Sequence, residues 1–341
     1  MKIHRYLFQF AFTAAVISPA ALQAQLEWTL NSPEAAARPK EELRVAGVAS
    51  QWVANAPIPI TNGLSQTTAV TDNNGLIYLI GGGLGAGPDA RINQVLAYDP
   101  ASDTWTRKAD IPLPNGISAY GSAVQLDGFI YVFGGVTGSG GDVAVLDTAW
   151  IYGIDADAWF ALANLPGGPR FGAAVAAING KIIVAGGASD VALSSTFEYD
   201  PDTDTYAPKA NLPAPLFRIH AAIVEETGEM HVFAGGFGGN NHLVYRTGSD
   251  TWSVSVPMPI GVTDPGVVFA QGKIWVLGAG IRGFVGIPQV FNLATATWSP
   301  GPFMPNAIDN TSAALSGGKI FSEGGFDGVT SANPNLSLQL P

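Results

Sequence analysis

The sequence predicts an all-β protein, a six-bladed β-propeller closed by an N-terminal strand that completes the last blade. Two observations carry this. A Trp or Tyr is followed seven residues later by Pro six times, at Trp52–Pro59, Trp105–Pro112, Trp159–Pro166, Tyr206–Pro213, Trp252–Pro259 and Trp298–Pro305. Six apolar runs ending in glycine interleave with them, at Gly81-Gly82, Gly134-Gly135, Gly186-Gly187, Gly235-Gly236, Gly278-Ala279 and Gly324-Gly325. A repeat of 43–54 residues built of short strands is a radial array, not a domain around one cleft.

Blade 3 shows the unit best. Phe171–Val175 reads as its first strand, followed by Asn179-Gly180, a hairpin signal because both residues tolerate positive φ. Lys181–Ala185 is the second strand and Thr196–Tyr199 the third. The turn Asp200-Pro201-Asp202-Thr203-Asp204 leads to a fourth around Tyr206. Five of the Trp/Tyr residues have an aromatic partner seven residues upstream: Tyr98, Tyr152, Tyr199, Tyr245 and Phe291. Trp52 has none, and the last unit ends at Leu336-Ser337-Leu338-Gln339-Leu340, a third strand with no fourth. The segment around Trp52 is therefore expected to supply the missing strand and leave no free edge. First strands are rich in small residues (Ala69, Ala123, Ala173, Ala221, Ala313), as crowding around a channel requires. Tyr and Trp suit the wider space between sheets, where each removes about 150–250 Å² from water.

A hydrophobic run ending in Gly-Gly, then Tyr, six residues and Trp, resembles the kelch repeat. Ile130-Tyr131-Val132-Phe133-Gly134-Gly135 and Tyr98-Asp99-Pro100…Thr104-Trp105 are similar to it, and the resemblance covers residues 51–341. It departs at Gly278-Ala279-Gly280 and at Tyr206, which stands where Trp is usual. The resemblance implies the propeller, and a function anywhere between interaction module and enzyme. The family includes a radical copper oxidase whose cofactor needs a Cys-linked Tyr, and this chain has no Cys. Leu165-Pro166-Gly167-Gly168-Pro169-Arg170 is similar to a stretch of the periplasmic sialic acid mutarotases.

Residues 1–24 read as an export signal: Lys2 and Arg5, an apolar stretch from Leu7 to Ile17, then Ala21-Leu22-Gln23-Ala24 as a cleavage site. Residues 25–50 read as a linker or tail, and 51–341 as the propeller. No run reaches the roughly 18 apolar residues of a membrane span. Removing residues 1–24 lowers the basic count from 16 to 14 against 27 acidic residues, a net charge of −13. That argues against a nucleic-acid partner, which needs phosphate neutralisation. A soluble monomer, periplasmic or secreted, is expected.

Candidate chemistry is sparse. His220, His231 and His242 all fall in blade 4, but the expected register sets His220 and His231 well apart and leaves His242 in a loop, which weakens a metal site. Asp200, Asp202 and Asp204 lack the Gly and Glu of a calcium loop, since Thr205 and Asn211 occupy those positions, and Asp-capped turns account for them. Nucleophile-elbow, phosphate-loop and His-Glu-x-x-His motifs are absent from the sequence. No metal and no cofactor is expected.

Aligning on the Trp-to-Pro repeat brings Ser65, Ala119, Arg170, Arg218, Asp264 and Asn310 to equivalent points around the channel mouth, with Asn62, Asn115 and Asp309 nearby. Arg170 and Arg218 are a candidate clamp for a carboxylate or sugar acid. Alternatively they bond carbonyls at blade junctions. Variable loops add Arg91, Asn240, Asn241, His242, Arg282 and Phe284 as a candidate recognition surface. The expected function is an exported, non-catalytic module that binds a protein or glycan on its loop face. The alternative is an enzyme of sugar-acid mutarotase or epimerase type, with Arg170 and Arg218 holding a carboxylate and Asp264 moving a proton.

Overall fold

A computed structural model describes residues 51–84, 90–120, 122–139, 142–278, 286–305, 308–327 and 331–341. The expected signal (1–24) and tail (25–50) lie outside the described residues, as do Arg282 and Phe284. The described residues form six antiparallel blades, five of four strands and one widened by the short strand Leu64–Ser65. The inner strands are Thr68–Thr71, Ala123–Leu126, Ala174–Ile178, Ile219–Val224, Gly266–Ala270 and Ser312–Ser316. Each approaches the inner strands of both neighbouring blades, so the six close a ring. Blade 3 runs Ala174–Ile178, Lys181–Ala185, Thr196–Asp200, Thr205–Lys209, and its first strand starts three residues later than expected. Gly172, at φ +63, holds the left-handed conformation that an extended strand cannot contain. The last blade is closed as expected: Val53–Ala54 pairs antiparallel with Asn335–Gln339, Val53 opposite Ser337.

Two belts of hydrogen bonds join the blades. In the outer belt the repeat aromatic donates to a carbonyl of the preceding blade: Trp105 to Ala56 (2.9 Å), Trp159 to Ala109 (2.9 Å), Tyr206 to Ala163 (2.9 Å) and Trp252 to Ala210 (2.8 Å). Trp298 to Val256 (3.0 Å) and Trp52 to Pro302 (3.1 Å) complete the cycle. Every acceptor lies four residues after its own blade's aromatic. Tyr206 keeps the bond through its hydroxyl, so its exchange for Trp leaves the belt intact.

The third-to-fourth strand turn tightens the same junction. Asp103, Asp157, Asp204 and Asp250, all at positive φ, accept the hydroxyls of Tyr98, Tyr152, Tyr199 and Tyr245 at 2.6, 2.6, 2.8 and 2.7 Å. Each also accepts a backbone N–H of the preceding blade, from Ala56, Ala109, Ala163 and Ala210. Capping of the aspartates' own turns holds for Asp99 and Asp200, but Asp103, Asp157 and Asp204 tie blades together. The Tyr152 hydroxyl, then the Ala109 N–H, hold Asp157 below the usual carboxylate range. In blade 5 both members of the pair change, to Phe291 and Ala296.

The inner belt explains the paired glycines. The second glycine donates its N–H to the segment entering the next blade in four places, Gly82 to Ile117, Gly135 to Arg170, Gly187 to Leu216 and Gly325 to Leu64, while Gly236 bonds Phe217 at the entry to its own blade. At Gly134 an added Cβ would lie 2.2 Å from the Arg170 carbonyl oxygen, so no side chain fits.

The residue before the paired glycines is apolar in blades 1 to 5 (Ile80, Phe133, Ala185, Ala234, Leu277), but in blade 6 it is Glu323. It shares a strand face with Phe321, which packs edge-on against Tyr98 of blade 1. Glu323 is fully buried and neither carboxyl oxygen has a hydrogen-bond partner. Burial pushes its acid up to about 8.

Two predictions follow from these junctions. Trp159→Ala should cost about 3–5 kcal/mol in urea unfolding, and Tyr152→Phe about 1–2 kcal/mol, because Asp157 is largely solvated. Glu323 is neutral when folded and ionised when unfolded at pH 7, so its contribution to stability declines as pH rises from about 4.5 to 8. Glu323→Leu should raise stability by about 1–3 kcal/mol at pH 7 and flatten that slope, read from urea midpoints across the range.

Candidate binding site at the channel mouth

Six residues, one per blade and each just before its inner strand, line the loop-face mouth in the left-handed conformation: Gln66, Tyr120, Gly172, Arg218, Asp264 and Asn310 (φ 55, 50, 63, 53, 44 and 53°). Backbone bonds link neighbours, with Gln66 N–H donating to the Asn310 carbonyl and Tyr120 N–H to the Gln66 carbonyl. A left-handed residue turns its Cβ away from the direction an extended residue would give it. The expected equivalences at Arg218, Asp264 and Asn310 match this ring, whereas Ser65, Ala119 and Arg170 each fall one or two residues short of it.

That shift removes Arg170 from the mouth. It is 0% exposed, and its guanidinium donates to the carbonyls of Gly186 (3.2 Å) and Pro166 (2.9 Å) and to Ser195 Oγ (3.1 Å). Its guanidinium also lies 5.2 Å from the centre of the Phe197 ring. Arg170 therefore takes the carbonyl-bonding alternative, and no two-arginine clamp forms.

Arg218 stays at the mouth. Its Nη1 lies 3.1 Å from Asp264 Oδ2, and His220 Nε2 lies 3.6 Å from Asp264 Oδ1. The guanidinium is sandwiched between the rings of Tyr120 (5.3 Å) and Phe237 (4.6 Å). Gly172 lets the Arg218 backbone approach, since a Cβ there would lie 2.7 Å from the Arg218 backbone nitrogen. Asp264 is 3% exposed, yet neither of its oxygens meets hydrogen-bond geometry, and Arg218 Nε, His220 Nε2 and Asn310 Oδ1 are also buried without partners. From Tyr120 an aromatic ridge runs outward through Phe171, Phe217 and Phe237, with ring centres 5.2, 5.8 and 5.9 Å apart in succession. Phe237, at its end, is 75% exposed.

The other candidates divide. Asn62 is an exposed turn residue at φ +69, and Asn115 is exposed, its carbonyl accepting Gly138 N–H. Asp309 is half-buried and bridges to Phe326 through its backbone. Arg91 donates to the Gly138 carbonyl at 2.7 Å. Asn240 and Asn241 donate to the Met258 and Ala234 carbonyls, and so brace the fold rather than forming a free recognition surface. A void of about 410 Å³ opens at the opposite end of the channel, lined by Ala69, Ile223, Val268 and Ala313 with Glu225 and Glu226. At that end the polar groups are the exposed Glu225 and Glu226 of a hairpin turn, whereas at the mouth buried polar side chains of several blades converge, so the mouth is the candidate site.

The histidines also separate. His242 lies in the strand Asn241–Arg246 rather than in a loop, and its Nε2 is 2.9 Å from His231 Nδ1. Its other nitrogen is 3.0 Å from the Val256 carbonyl, which also accepts the Trp298 indole. The pair fills the junction where Phe291 and Ala296 replace the Tyr–Asp bond. Among the described residues no group of three or more His, Asp or Glu is arranged to hold a metal. Burial, then the neighbouring His231, pushes His242 down to about 4, and burial lowers His231 against the pull of Glu229. Both rings take up protons more readily in the unfolded chain, so stability should fall as pH drops from about 6.5 to 4. His242→Gln should make that fall shallower, read from thermal midpoints across the window.

The fold is a six-bladed β-propeller whose loop-face mouth is the candidate site. Residues 68–112 and 169–213 match the kelch motif, so kelch motifs are present in this six-bladed propeller. It is 28% identical to the kelch-like protein terF of Aspergillus terreus over 265 residues, which covers 69% of this chain and 55% of that protein. Kelch-like protein 35 of Mus musculus is 26% identical over 236 residues, covering 68% of this chain and 38% of that one. The chain thus spans about half the length, or less, of these relatives. The solved structure of YjhT superposes with a TM-score of 0.69 at 16% identity, covering 83% of this chain and 96% of that chain, a likeness of fold. Among the described residues no helix is long and apolar enough to cross a membrane.

Proposed function

We propose that this propeller is a non-catalytic recognition module that binds a protein or glycan across its loop face, centred on Arg218, His220, Asp264 and Asn310. The observation that carries this reading is the group of buried polar atoms without hydrogen bonds on Arg218, His220, Asp264 and Asn310, on three successive blades at one opening of the ring. The ring presents them rigidly, as binding loops on a fixed scaffold require. The basic–apolar–small order of residues 1–24 supports export as part of the same reading. Mass spectrometry of the protein recovered from its source tests that part, with a mature start at Gln25 expected.

A second reading rests on the His220–Asp264 approach. Two groups able to exchange a proton lie 3.6 Å apart at the mouth, as a sugar-anomer-exchanging enzyme of mutarotase type would use. The carboxylate clamp attached to it above is reduced to Arg218 alone.

One experiment separates the two. Asp264→Asn keeps shape and tolerates the left-handed backbone. The binding reading expects the variant, which melts lower because Arg218 loses its buried partner but is folded at the assay temperature, to lose about tenfold or more in ligand or partner affinity. It also expects no acceleration of anomer exchange, followed by NMR, by the unaltered protein. Exchange accelerated by the unaltered protein and abolished in the variant would replace binding with catalysis.

A further inference from the structure

The charge balance and the aromatic ridge narrow the ligand. Resting on the mouth as the binding site, we propose that it takes a neutral sugar residue of a glycan rather than a sugar acid.

The first argument is charge. Arg218 faces Asp264 at 3.1 Å, and Asp264 is almost wholly buried, so the Arg218 charge is already compensated. Arg170 is enclosed within its own blade and offers nothing. A carboxylate arriving here would meet Asp264 as well as Arg218, inside a chain of formal net charge −11. A neutral polyol meets no such opposition.

The second argument is hydrogen-bond inventory. Sugar hydroxyls both donate and accept. The unpartnered atoms are of both kinds: Asp264 Oδ1 and Oδ2 and Asn310 Oδ1 accept, and Arg218 Nε donates. His220 Nε2 fills either role. A carboxylate could engage only the donors and would leave Asn310 Oδ1 buried and unpaired.

The third argument is shape. Phe237 carries Arg218 over one ring face, yet it remains 75% exposed, and Phe217 meets it edge-on at 5.9 Å. An apolar ring beside converging polar groups suits a pyranose, whose C–H face packs on the aromatic while its hydroxyl edge reaches the cluster.

The test is saturation-transfer NMR and calorimetry on the full chain with lactose, maltose and cellobiose as neutral probes and glucuronate and N-acetylneuraminate as acids. At least one neutral probe should bind saturably below about 50 mM, with both acids at least about fivefold weaker. Phe237→Ala, an exposed change that leaves folding alone, should weaken the neutral probe about threefold to tenfold. Asp264→Asn frees the Arg218 charge, so its preference should turn toward the acids, a reversal that a merely structural role would not produce. Acids binding better than every neutral probe, or no neutral probe binding at all, overturns the proposal. If no sugar binds but a protein partner is held and released by Asp264→Asn, the mouth stands and the sugar assignment falls. If Asp264→Asn changes nothing, both fall.

Discussion

The closed cycle of six ring-to-carbonyl hydrogen bonds is the constraint on which the rest of this molecule depends. A four-stranded sheet cannot bury both faces alone, so each blade is stable only against its neighbours. Hydrophobic burial between sheets supplies most of the attraction but little direction. The indole N–H groups, and the Tyr206 hydroxyl, supply the direction: each must find a carbonyl four residues beyond the preceding aromatic, which fixes height and tilt between blades. The cycle closes only because Trp52, far from its partner in sequence, reaches Pro302. The first and last segments of the ring are therefore one structural unit.

The outer belt and the paired glycines leave the mouth little freedom. The segments entering blades 1 to 4 are each pinned by a glycine N–H at the inner edge and, a few residues on, must reverse into the inner strand. The left-handed residue makes that reversal. A ring of side chains facing one axis is thus a by-product of joining blades, available for binding at no cost to the core. Where the junction chemistry changes, neighbours compensate. Phe291 and Ala296 lose the Tyr–Asp bond together, and His242 occupies the gap with a hydrogen bond to the same Val256 carbonyl that Trp298 uses. Glu323 has no such compensation and stays buried without partners at the closing seam.

Most of the fold was legible because its signals are periodic. The blade count, the strand order in blade 3 and the closing role of the Trp52 segment all follow from repeated aromatics, prolines and glycines. Individual side-chain roles were not legible for the same reason. Asp103, Asp157 and Asp204 look like ordinary turn caps, and only the packed ring shows that they bond backbone N–H groups of the preceding blade. His231 and His242 are eleven residues apart and become neighbours through strand pairing. Glu323 carried a signal that was readable, a charged residue at a position apolar in every other blade.

Arg170 and Arg218 show where repeat alignment stops working. Measured from the repeat proline, the left-handed residue lies seven positions on in blade 1, eight in blade 2, six in blade 3 and five in blades 4 to 6. Counting from the proline makes Arg170, four positions on, look equivalent to Arg218, five positions on. Arg218 occupies the left-handed position and turns to the channel. Arg170 precedes it by two residues, in the segment that bonds Gly135, and its side chain folds back beneath Gly186. An offset of two residues thus decides whether an arginine is part of the frame or lies at the mouth. Recognition at this mouth is set less by which charges the chain carries than by which of them coincide with the left-handed turn.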